Sequence, residues 1–468
     1  MSSCCFIGIG LCSKYYLFIL GICLFKFLKQ SLFNFFQIYP ASNSGMFGFL
    51  PVLYGHFVIS SIYTYISFII FSLIIFPITI KLRTNEKNLF KLQKSNTIEL
   101  LLKGVIHNKK ATNITIKKIL KVVGVCVILV IQMDLSKIIY LYDFSLFNFW
   151  TFYVVFILIF MKRYFVVNLH KHQKYSMLFV IFICSIILLV TTFIPYNNLS
   201  EKNSYQKVKD ITGSYFYFIP IVLIFIAFTC MFSYFIVYSK VLMEVEFFPP
   251  YLLILITGVT GLVLNCIALM ITSFIECKGD FIKNNICYVF NEEGNKAYYD
   301  NILIYFSSMR SEYDNDEKRS NFFIEIFVLI PLYLIFSFLE FLCQIFAVYY
   351  MNPNYILIKD PIFFGLQRLG SLIYNLENIN EVMYLSQFFL LESAELFGLF
   401  GYLVYLEIIE LRFCNLDENL KRNILNRTYE ANLNAMKEMN ILTEDEMDDR
   451  DERKDSFDNI FMKGETPN

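Results

Sequence analysis

The sequence predicts an all-α, polytopic membrane protein with about ten transmembrane helices, arranged as two inverted repeats of five helices. Composition is the first reason: 57% of the 468 residues are hydrophobic and only 17% are charged, whereas soluble domains carry about 25% charged residues. The second reason is that the apolar residues form separate runs, many of them reaching the length of about 20 residues that crosses a bilayer. The third is that Lys and Arg are concentrated in alternate loops, which sets one orientation for the whole chain.

The first half of the chain, residues 1–195, contains five apolar runs. They cover about residues 5–28, 57–80, 119–142, 146–161 and 175–194. A strongly basic loop, 81–118, follows the second run, and a basic turn, 162–174, follows the fourth. We expect the first run to be a retained span, because it lacks the basic start and the cleavage site of a signal peptide. A polar loop, 196–213, separates this half from the next.

The second half, residues 214–414, contains five further runs and leads into a polar tail. The runs cover about residues 217–238, 252–275, 322–350, 356–376 and 382–411. A charged hinge between the first two of them ends in Pro249-Pro250, which cannot continue a helix. A long polar loop, 276–320, follows the seventh run. The tail, 415–468, is charged and poor in aromatic residues, so we expect it to be cytosolic and largely disordered.

The loops after the second, fourth and sixth runs are the basic ones, and all three fall on one side of a ten-span protein. Positively charged loops stay in the cytosol, so both termini are predicted to be cytosolic. Cys277 and Cys287 then share a non-cytosolic loop, where a disulfide survives. Asn198 begins an Asn-Leu-Ser sequon in another such loop, which makes it a predicted glycosylation site.

Several polar residues fall inside or at the ends of the apolar runs, where a charge at a helix centre costs about 2.5–3.5 kcal/mol. Residues that bear this cost usually face a cavity or a partner. The predicted substrate-binding residues are Asp134, Lys137, Lys240, Glu340, Gln344 and Arg368.

A structural role is the alternative for each of these charges. Asp134 and Lys137 are three residues apart on one helix and are able to neutralise each other. Lys240 has the same relationship to Glu244, four residues on. Arg368 is the predicted partner of Glu340, or else an anchor for an anionic ligand.

The two halves share a layout as well as a length. In each half the third run carries polar residues in its middle or later part, and a short turn, a hinge and a final run follow. An odd number of spans in each half places the halves in opposite orientations. Inverted repeats of this kind are typical of transporters, which bind the substrate near the membrane midplane between the repeats.

Two short stretches carry a family resemblance. The segment SKVLMEVEFFPPYLL at 239–253 and the segment YLEIIELRFCNLDENLK at 405–421 resemble protist members of the drug/metabolite transporter superfamily, which includes the nucleotide-sugar and triose-phosphate transporters. The resemblance in layout covers about residues 57–421. It implies an alternating-access transporter that moves a small polar or anionic metabolite, such as a nucleotide sugar, across an endomembrane of the Golgi, the endoplasmic reticulum or a vesicle.

The sequence gives no sign of enzymatic or metal chemistry. The four histidines are scattered, no Cys-x-x-Cys pair occurs, and no zinc or serine nucleophile motif is present. We therefore expect no enzymatic activity and no cofactor. His170 and His172 fall in the basic turn, where we expect surface positions facing lipid.

Charge and composition also limit which classes of partner are expected. The net charge is zero, so we expect no binding to nucleic acid. The expected partners are the lipid bilayer and a small-molecule substrate, and both a monomer and a homodimer are compatible with the sequence. The alternative function is a polytopic scaffold or assembly protein without transport activity, which recruits partners through its cytosolic tail.

Overall fold

The structure is a computed structural model of the 468-residue chain, and it describes only part of the chain. The described residues are 7–9, 16–38, 56–84, 116–141, 150–165, 171–193, 218–246, 248–277, 289–290, 296–314, 319, 323–360, 362–363, 393 and 396–411. Helix accounts for 89% of the described residues. This confirms the mostly helical class that the composition predicts.

The described helices follow the apolar runs with shifted boundaries. They are α1 (Tyr16–Ile38), α2 (Phe57–Thr84), α3 (Ile116–Leu141), α4 (Trp150–Tyr164), α5 (Lys171–Phe193), α6 (Phe218–Glu244), α7 (Pro250–Phe274), α8 (Ile302–Asp314), α9 (Ile330–Tyr350) and α10 (Leu396–Tyr405). A π-helical turn, Glu325–Leu329, leads into α9, and a 3-10 helix, Pro353–Ile358, follows it. The predicted hinge is confirmed, because α6 ends at Glu244 and α7 begins at Pro250.

Four helices in the described part of the chain are long and apolar enough to cross a membrane. They are Phe57–Ile75, Ile226–Glu244, Pro250–Phe274 and Ile326–Tyr350. The chain is therefore a membrane-associated protein. The count of ten spans and the inverted repeat stay predictions.

Helix α7 has the polarity expected of a helix in lipid. Its exposed face is formed by large apolar side chains, which are Val259, Val263, Ile267, Met270, Ile271 and Phe274. Its buried face instead includes the small or polar residues Thr257, Gly258, Gly261 and Asn265. A helix on the surface of a soluble protein has the opposite arrangement, with its polar face outward.

Within the part of the chain that the structure describes, four short strands form two small antiparallel sheets. They are β1 (Ile7–Ile9), β2 (Val289–Phe290), β3 (Ala297–Tyr298) and β4 (Ile409–Leu411). In one sheet β1 pairs with β4, with Gly8 opposite Glu410, and in the other β2 pairs with β3. The first and last predicted runs were therefore wrong at their outer ends.

Local sequence explains both errors. Gly8 and Gly10 disfavour helix at the start of the first predicted run, and α1 instead begins at Tyr16 and continues past Lys26 and Lys29 to Ile38. At the other end of the chain, α10 ends at Tyr405, and the next turn places Glu407 at φ 60° before β4 begins.

The chain forms two compact units, and each unit draws on both halves of the sequence. The first unit comprises Met1–Leu17, Phe149–Val190 and Tyr350–Asn468, and the second comprises Phe18–Asn148 and Thr191–Tyr349. The division into five-helix halves at residues 1–195 and 214–414 stays a prediction, and so does the nature of the tail 415–468, which lies outside the described residues.

Glycines allow the helices of the second unit to pack closely. A Cβ on Gly261 would lie 2.3 Å from the Tyr65 ring, and one on Gly258 would lie 3.1 Å from the Tyr65 carbonyl oxygen. Both glycines are on α7 and both neighbours are on α2, so the two helices approach through a small-residue surface. In the first unit, Gly401 of α10 has the same role against Phe179 of α5.

Candidate functional site

Asp134 lies where three helices of the second unit meet. Ser61 of α2 donates a hydrogen bond from Oγ to Asp134 Oδ1 at 3.1 Å, and Asn265 of α7 donates from Nδ2 to Asp134 Oδ2 at 3.4 Å. The same amide group of Asn265 also donates to the Gly261 carbonyl at 3.0 Å, which fixes its orientation. The predicted site residue Asp134 thus contributes to a polar contact among α2, α3 and α7.

A second polar contact joins α1 to α9. The Lys29 ammonium forms an ion pair and a hydrogen bond with the Glu340 carboxylate. The two side chains keep 24% and 17% of their surface exposed. Glu340 lies ten residues before the end of α9, about 15 Å along the helix, so this ion pair is well inside the span. Lys29 is thus the cation found next to Glu340 within the described residues. The predicted partner Arg368 lies outside them, so that pairing stays a prediction.

The side chains around Glu340 form a polar stripe along α9. Tyr333, Ser337, Glu340 and Gln344 are spaced by three and four residues, so they share one face of the helix. Three of them are buried and Glu340 is half-buried. The Tyr333 hydroxyl is 3.0 Å from Thr64 Oγ1 of α2. The predicted site residues Glu340 and Gln344 thus lie on a single polar surface inside the second unit.

The start of α2 is held by a carboxylate from a distant segment. The Asp300 side chain is 0% exposed and accepts hydrogen bonds from the backbone N–H groups of Val58 and Ile59, at 2.8 and 3.1 Å. These are unpaired donors at the first turn of a helix, which a carboxylate caps well. His56 Nδ1 is 2.6 Å from the other carboxylate oxygen.

The next residue, Asn301, caps another helix in the same way. Its Oδ1 accepts hydrogen bonds from the backbone N–H groups of Leu303 and Ile304 at the start of α8, and its Nδ2 donates to the Ser273 carbonyl near the end of α7. Tyr305 of α8 packs with its ring edge against the His56 ring and places its hydroxyl 2.9 Å from that of Tyr63. Together these contacts attach α8 to the ends of α2 and α7.

Lys240 has structural partners at the end of α6. Its ammonium forms an ion pair with Glu244 and donates to the Tyr349 carbonyl at 3.0 Å, in the last turn of α9. A lysine is favourable at this position because the last carbonyls of a helix lack internal partners and carry partial negative charge. The structural alternative proposed for Lys240 and Glu244 therefore has direct geometric support.

Basic residues of α3 hold the hinge between α6 and α7. Lys121 Nζ is 2.8 Å from Glu246 Oε1, and Lys118 Nζ donates to the Glu246 carbonyl at 3.2 Å. The Phe248 N–H donates to the Leu242 carbonyl at 2.9 Å and folds the hinge back on α6. The charged residues of the hinge thus connect three helices of the second unit.

The first unit contains a separate polar cluster around Glu407. His172 of α5 is only 4% exposed, and its Nε2 lies 3.2 Å from Glu407 Oε1. Gln173 donates from Nε2 to the same oxygen at 3.3 Å. The expectation that His172 faces lipid was therefore wrong, because the turn after α10 brings a carboxylate over it. His170 lies outside the described residues.

The 3-10 helix of the first unit adds further polar groups to this cluster. The Tyr402 hydroxyl donates to the Asn354 carbonyl, and Asn354 Nδ2 donates to the Tyr405 hydroxyl at 3.1 Å. Burial, and secondly the Glu407 carboxylate, raise the pKa of Tyr355 to about 12. Lys359 and Asp360 form a buried ion pair at 3.1 Å immediately after this helix.

The structure describes only some of the remaining predicted site residues. Lys137 belongs to α3, but its side chain lies outside the described residues, as do Arg368 and Asn198. Cys277 is disulfide-bonded, and Cys287 lies outside the described residues, so their pairing stays a prediction. Within the described residues no group of three or more His, Cys, Asp or Glu side chains has the arrangement of a metal site.

Sequence reasoning missed three groups that form the polar contacts. Lys29 lies beyond the end of the first predicted run, and a helix continued to Ile38 would have placed it inside the bundle. Asp300 and His56 both fall outside the predicted runs and were not linked to each other. Nothing in the local sequence marks them as partners, because they are separated by 244 positions.

Comparison with known proteins found no relative of this chain. No protein-family model matches the chain, and no curated protein matches it. The resemblance to the drug/metabolite transporters therefore stays a prediction.

Proposed function

We propose that this protein is a multi-pass membrane transporter of the drug/metabolite type, which moves a small polar or anionic metabolite by alternating access. The Lys29–Glu340 ion pair, near the middle of the apolar helix α9, is the observation that supports this proposal. Charges inside a bilayer are costly and mark substrate or ion pathways more often than they mark simple packing. A nucleotide sugar is a candidate substrate through the sequence resemblance.

The Lys29–Glu340 pair provides a way to bind an anion. A phosphate or carboxylate of the substrate would take the place of Glu340 beside the Lys29 ammonium, so that the cation keeps a partner throughout. Both side chains retain some exposure, which is consistent with access for a ligand. The hydroxyl and amide groups of Ser337 and Gln344 flank Glu340 on the same helix face and supply hydrogen bonds for the polar part of a ligand.

The other predicted binding residues have different roles in this proposal. Asp134 lies among α2, α3 and α7 and contributes the second polar group of the path. Lys240 anchors the end of α6 to the end of α9 and acts on the hinge rather than on the substrate. Lys137 and Arg368 are proposed as further cations for an anionic substrate.

The proposal includes a location and a topology. We place the protein in an endomembrane of the Golgi, the endoplasmic reticulum or a vesicle, with both termini in the cytosol. Ten spans in two inverted halves would alternate in opening the polar path to either side. No enzymatic step and no cofactor are part of this mechanism.

Counterflow into proteoliposomes tests the proposal. Purified protein is reconstituted and preloaded in turn with pools of nucleotide sugars, nucleotides or phosphorylated metabolites, and uptake of the labelled pool is measured. We expect saturable exchange with one pool. The variants Lys29→Gln and Glu340→Gln should reduce that exchange at least tenfold, because each removes one member of the ion pair that the substrate would use. Lys174→Gln, at an exposed position of α5, is the matched control and should exchange normally.

The outcome separates this function from the alternative. Absence of exchange with every pool, from protein shown to be folded, would contradict the transporter and favour a membrane scaffold. Truncation after residue 414 provides a second comparison, because only the scaffold depends on the tail for its whole function. Exchange by the truncated protein at the rate of the full chain would support transport.

A further inference from the structure

Helix α8 exposes large apolar side chains on its outer face. Leu303 is 74% exposed and Phe306 is 59% exposed, and Tyr313 is exposed as well. Together with Arg310 these residues are spaced by three, four and three positions, so they share one face of the helix. A helix that faces water turns its polar residues outward instead. The outer face of α8 therefore indicates an apolar partner.

The opposite face of α8 packs on helices that are apolar enough to cross a membrane. The buried Tyr305 belongs to one hydrophobic cluster with Val58 of α2 and Leu269 of α7. Met309 of α8 and Leu329, which directly precedes α9, pack against the same cluster. Val58 is near the start of α2 and Leu269 is near the end of α7. Helix α8 thus lies at the level where these apolar helices begin and end.

Each end of α8 is attached to the end of a different apolar helix. At its start, the Ile302 N–H donates to Ser273 Oγ of α7 at 3.1 Å. At its end, the Tyr313 ring packs edge-on against Phe323, which stacks on Phe327 near the start of the apolar helix that continues as α9. A helix of 13 residues is about 20 Å long. Helix α8 therefore runs from the end of α7 to the beginning of the next apolar helix.

The exposed apolar face of α8 lies between the exposed apolar surfaces of these two helices. Phe274 and Ile275 directly follow Ser273, which contacts the start of α8, and both are exposed. Phe323 and Phe327, beside the end of α8, are exposed as well. The same lipid that covers the two membrane helices then also covers α8. This continuity favours lipid, rather than a protein, as the partner of the exposed face.

The second half of α8 carries residue types that are typical of the boundary between membrane and water. Arg319 lies over the Tyr313 ring, with Cζ 5.4 Å from the centroid, and donates from Nε to the Tyr313 carbonyl at 3.0 Å. Arg310 and Asp314 are both exposed and form a long ion pair, at 3.6 Å. At this boundary an aromatic ring lies among the headgroups, and a long basic side chain extends from apolar surroundings to water and phosphate.

We propose that α8 is an interfacial helix, which lies along the membrane surface with Leu303 and Phe306 inserted into the bilayer. Helices of this kind bury their apolar face about 5–10 Å into the boundary between headgroups and acyl chains. In this position α8 holds the start of α2 and the end of α7 at the membrane surface, through Tyr305 and the contact with Ser273. The proposal goes beyond the transport function and does not depend on it.

Tryptophan fluorescence measures the depth of α8 directly, because the chain contains a single tryptophan, Trp150. In a Trp150→Phe background, Phe306→Trp is reconstituted into phosphatidylcholine vesicles whose acyl chains are brominated either near the headgroup or near the tail end. Bromine quenches a tryptophan ring that it contacts. We expect Phe306→Trp to lose about half of its emission in the lipid brominated near the headgroup, and less in the other lipid.

Two further positions provide reference depths in the same background. Val263→Trp, on the exposed apolar face in the middle of α7, should be quenched more by the lipid brominated near the tail end. Lys296→Trp, at an exposed position of the loop that contains α8, is the water-side control. It should be quenched by aqueous acrylamide and by neither brominated lipid.

Leu303→Trp repeats the measurement one turn before Phe306 and should give the same result as Phe306→Trp. Circular dichroism verifies that each variant is folded. If lipid quenches Phe306→Trp and Leu303→Trp no more than Lys296→Trp, the proposal is overturned, because water or another protein surface, such as a second copy of the chain, then covers α8. The readout uses no transported substrate, so this failure is distinct from a failure of the proposed function.

Discussion

Lys29 of α1 and Glu340 of α9 form an ion pair across 311 positions of sequence. Each side chain neutralises the other beside the middle of an apolar helix, where an isolated charge would be unfavourable in a bilayer. The pair therefore connects the start of the chain to the last helix of the second unit. It also leaves a cation beside a polar helix face, which is the arrangement that the proposed transport mechanism uses.

The first prediction concerns the stability of this pair. Lys29→Met and Glu340→Met should each lower the free energy of unfolding by about 1–3 kcal/mol, because each removes one member of a half-buried ion pair. The double variant should be less affected than the sum of the two, since neither charge then remains. Thermal unfolding of the purified variants in detergent measures this. Strict additivity would show that the two side chains do not interact.

The second prediction concerns the cap on α2. Asp300→Ala should lower the free energy of unfolding by about 2–3 kcal/mol, because two backbone N–H groups and His56 lose a buried partner. Asp314→Ala is the control, since the Asp314 side chain is exposed and its ion pair with Arg310 is long, at 3.6 Å. Unfolding temperatures that are equal for the two variants would contradict the cap.

The third prediction concerns helix packing. Gly261→Ala should destabilise the protein by about 1–3 kcal/mol, because the added Cβ meets the buried Tyr65 ring at 2.3 Å. Gly124→Ala is the matched control on α3, where a Cβ would meet no atom of the described residues within 4 Å, and it should be neutral or slightly stabilising. If Gly261→Ala and Gly124→Ala lowered the unfolding temperature by the same amount, the loss of stability would not come from the close packing of α7 on α2.

The fourth prediction concerns the disulfide. Cys277 is disulfide-bonded, and the shared loop predicts Cys287 as its partner. Peptide mapping by mass spectrometry without reduction should recover a linked pair of peptides that contain these two residues, and reduction should separate them. A peptide that links Cys277 to any other cysteine would refute the pairing and remove this support for a non-cytosolic loop.

The features that could be predicted from the sequence are those encoded locally. Run length and composition predicted a mostly helical membrane protein. Pro249-Pro250 predicted where α6 and α7 separate. Each of these depends on the properties of residues that are close together in the chain.

The features that could not be predicted depend on distant contacts. Glu340 was recognised as a costly charge, but its partner Lys29 is set by how α1 packs on α9. His172 was expected at the surface because its neighbours in sequence are basic, and the turn at Glu407 buries it. Asp300 stood in a polar loop with no sign that it caps a helix 242 positions away.

The central claim is that the polar face of α9 lies along a water-accessible path, and one labelling experiment tests it most directly. Ser337→Cys is introduced into protein from which the reactive native cysteines have been removed, and intact proteoliposomes are treated with a membrane-impermeant methanethiosulfonate. Within the described residues Ser337 Oγ has no hydrogen-bond partner, so the substitution removes no contact there. Val263→Cys, on the exposed apolar face of α7, is the lipid-facing control.

Transport predicts that Ser337→Cys is modified, that the exchanged metabolite pool slows the reaction, and that Val263→Cys stays unmodified. The contrary result is that Ser337→Cys is not labelled, with or without the metabolite pool, in protein that unfolds at the native temperature. This would mean that water does not reach the polar face of α9. That result would contradict the transporter and leave the scaffold as the better account.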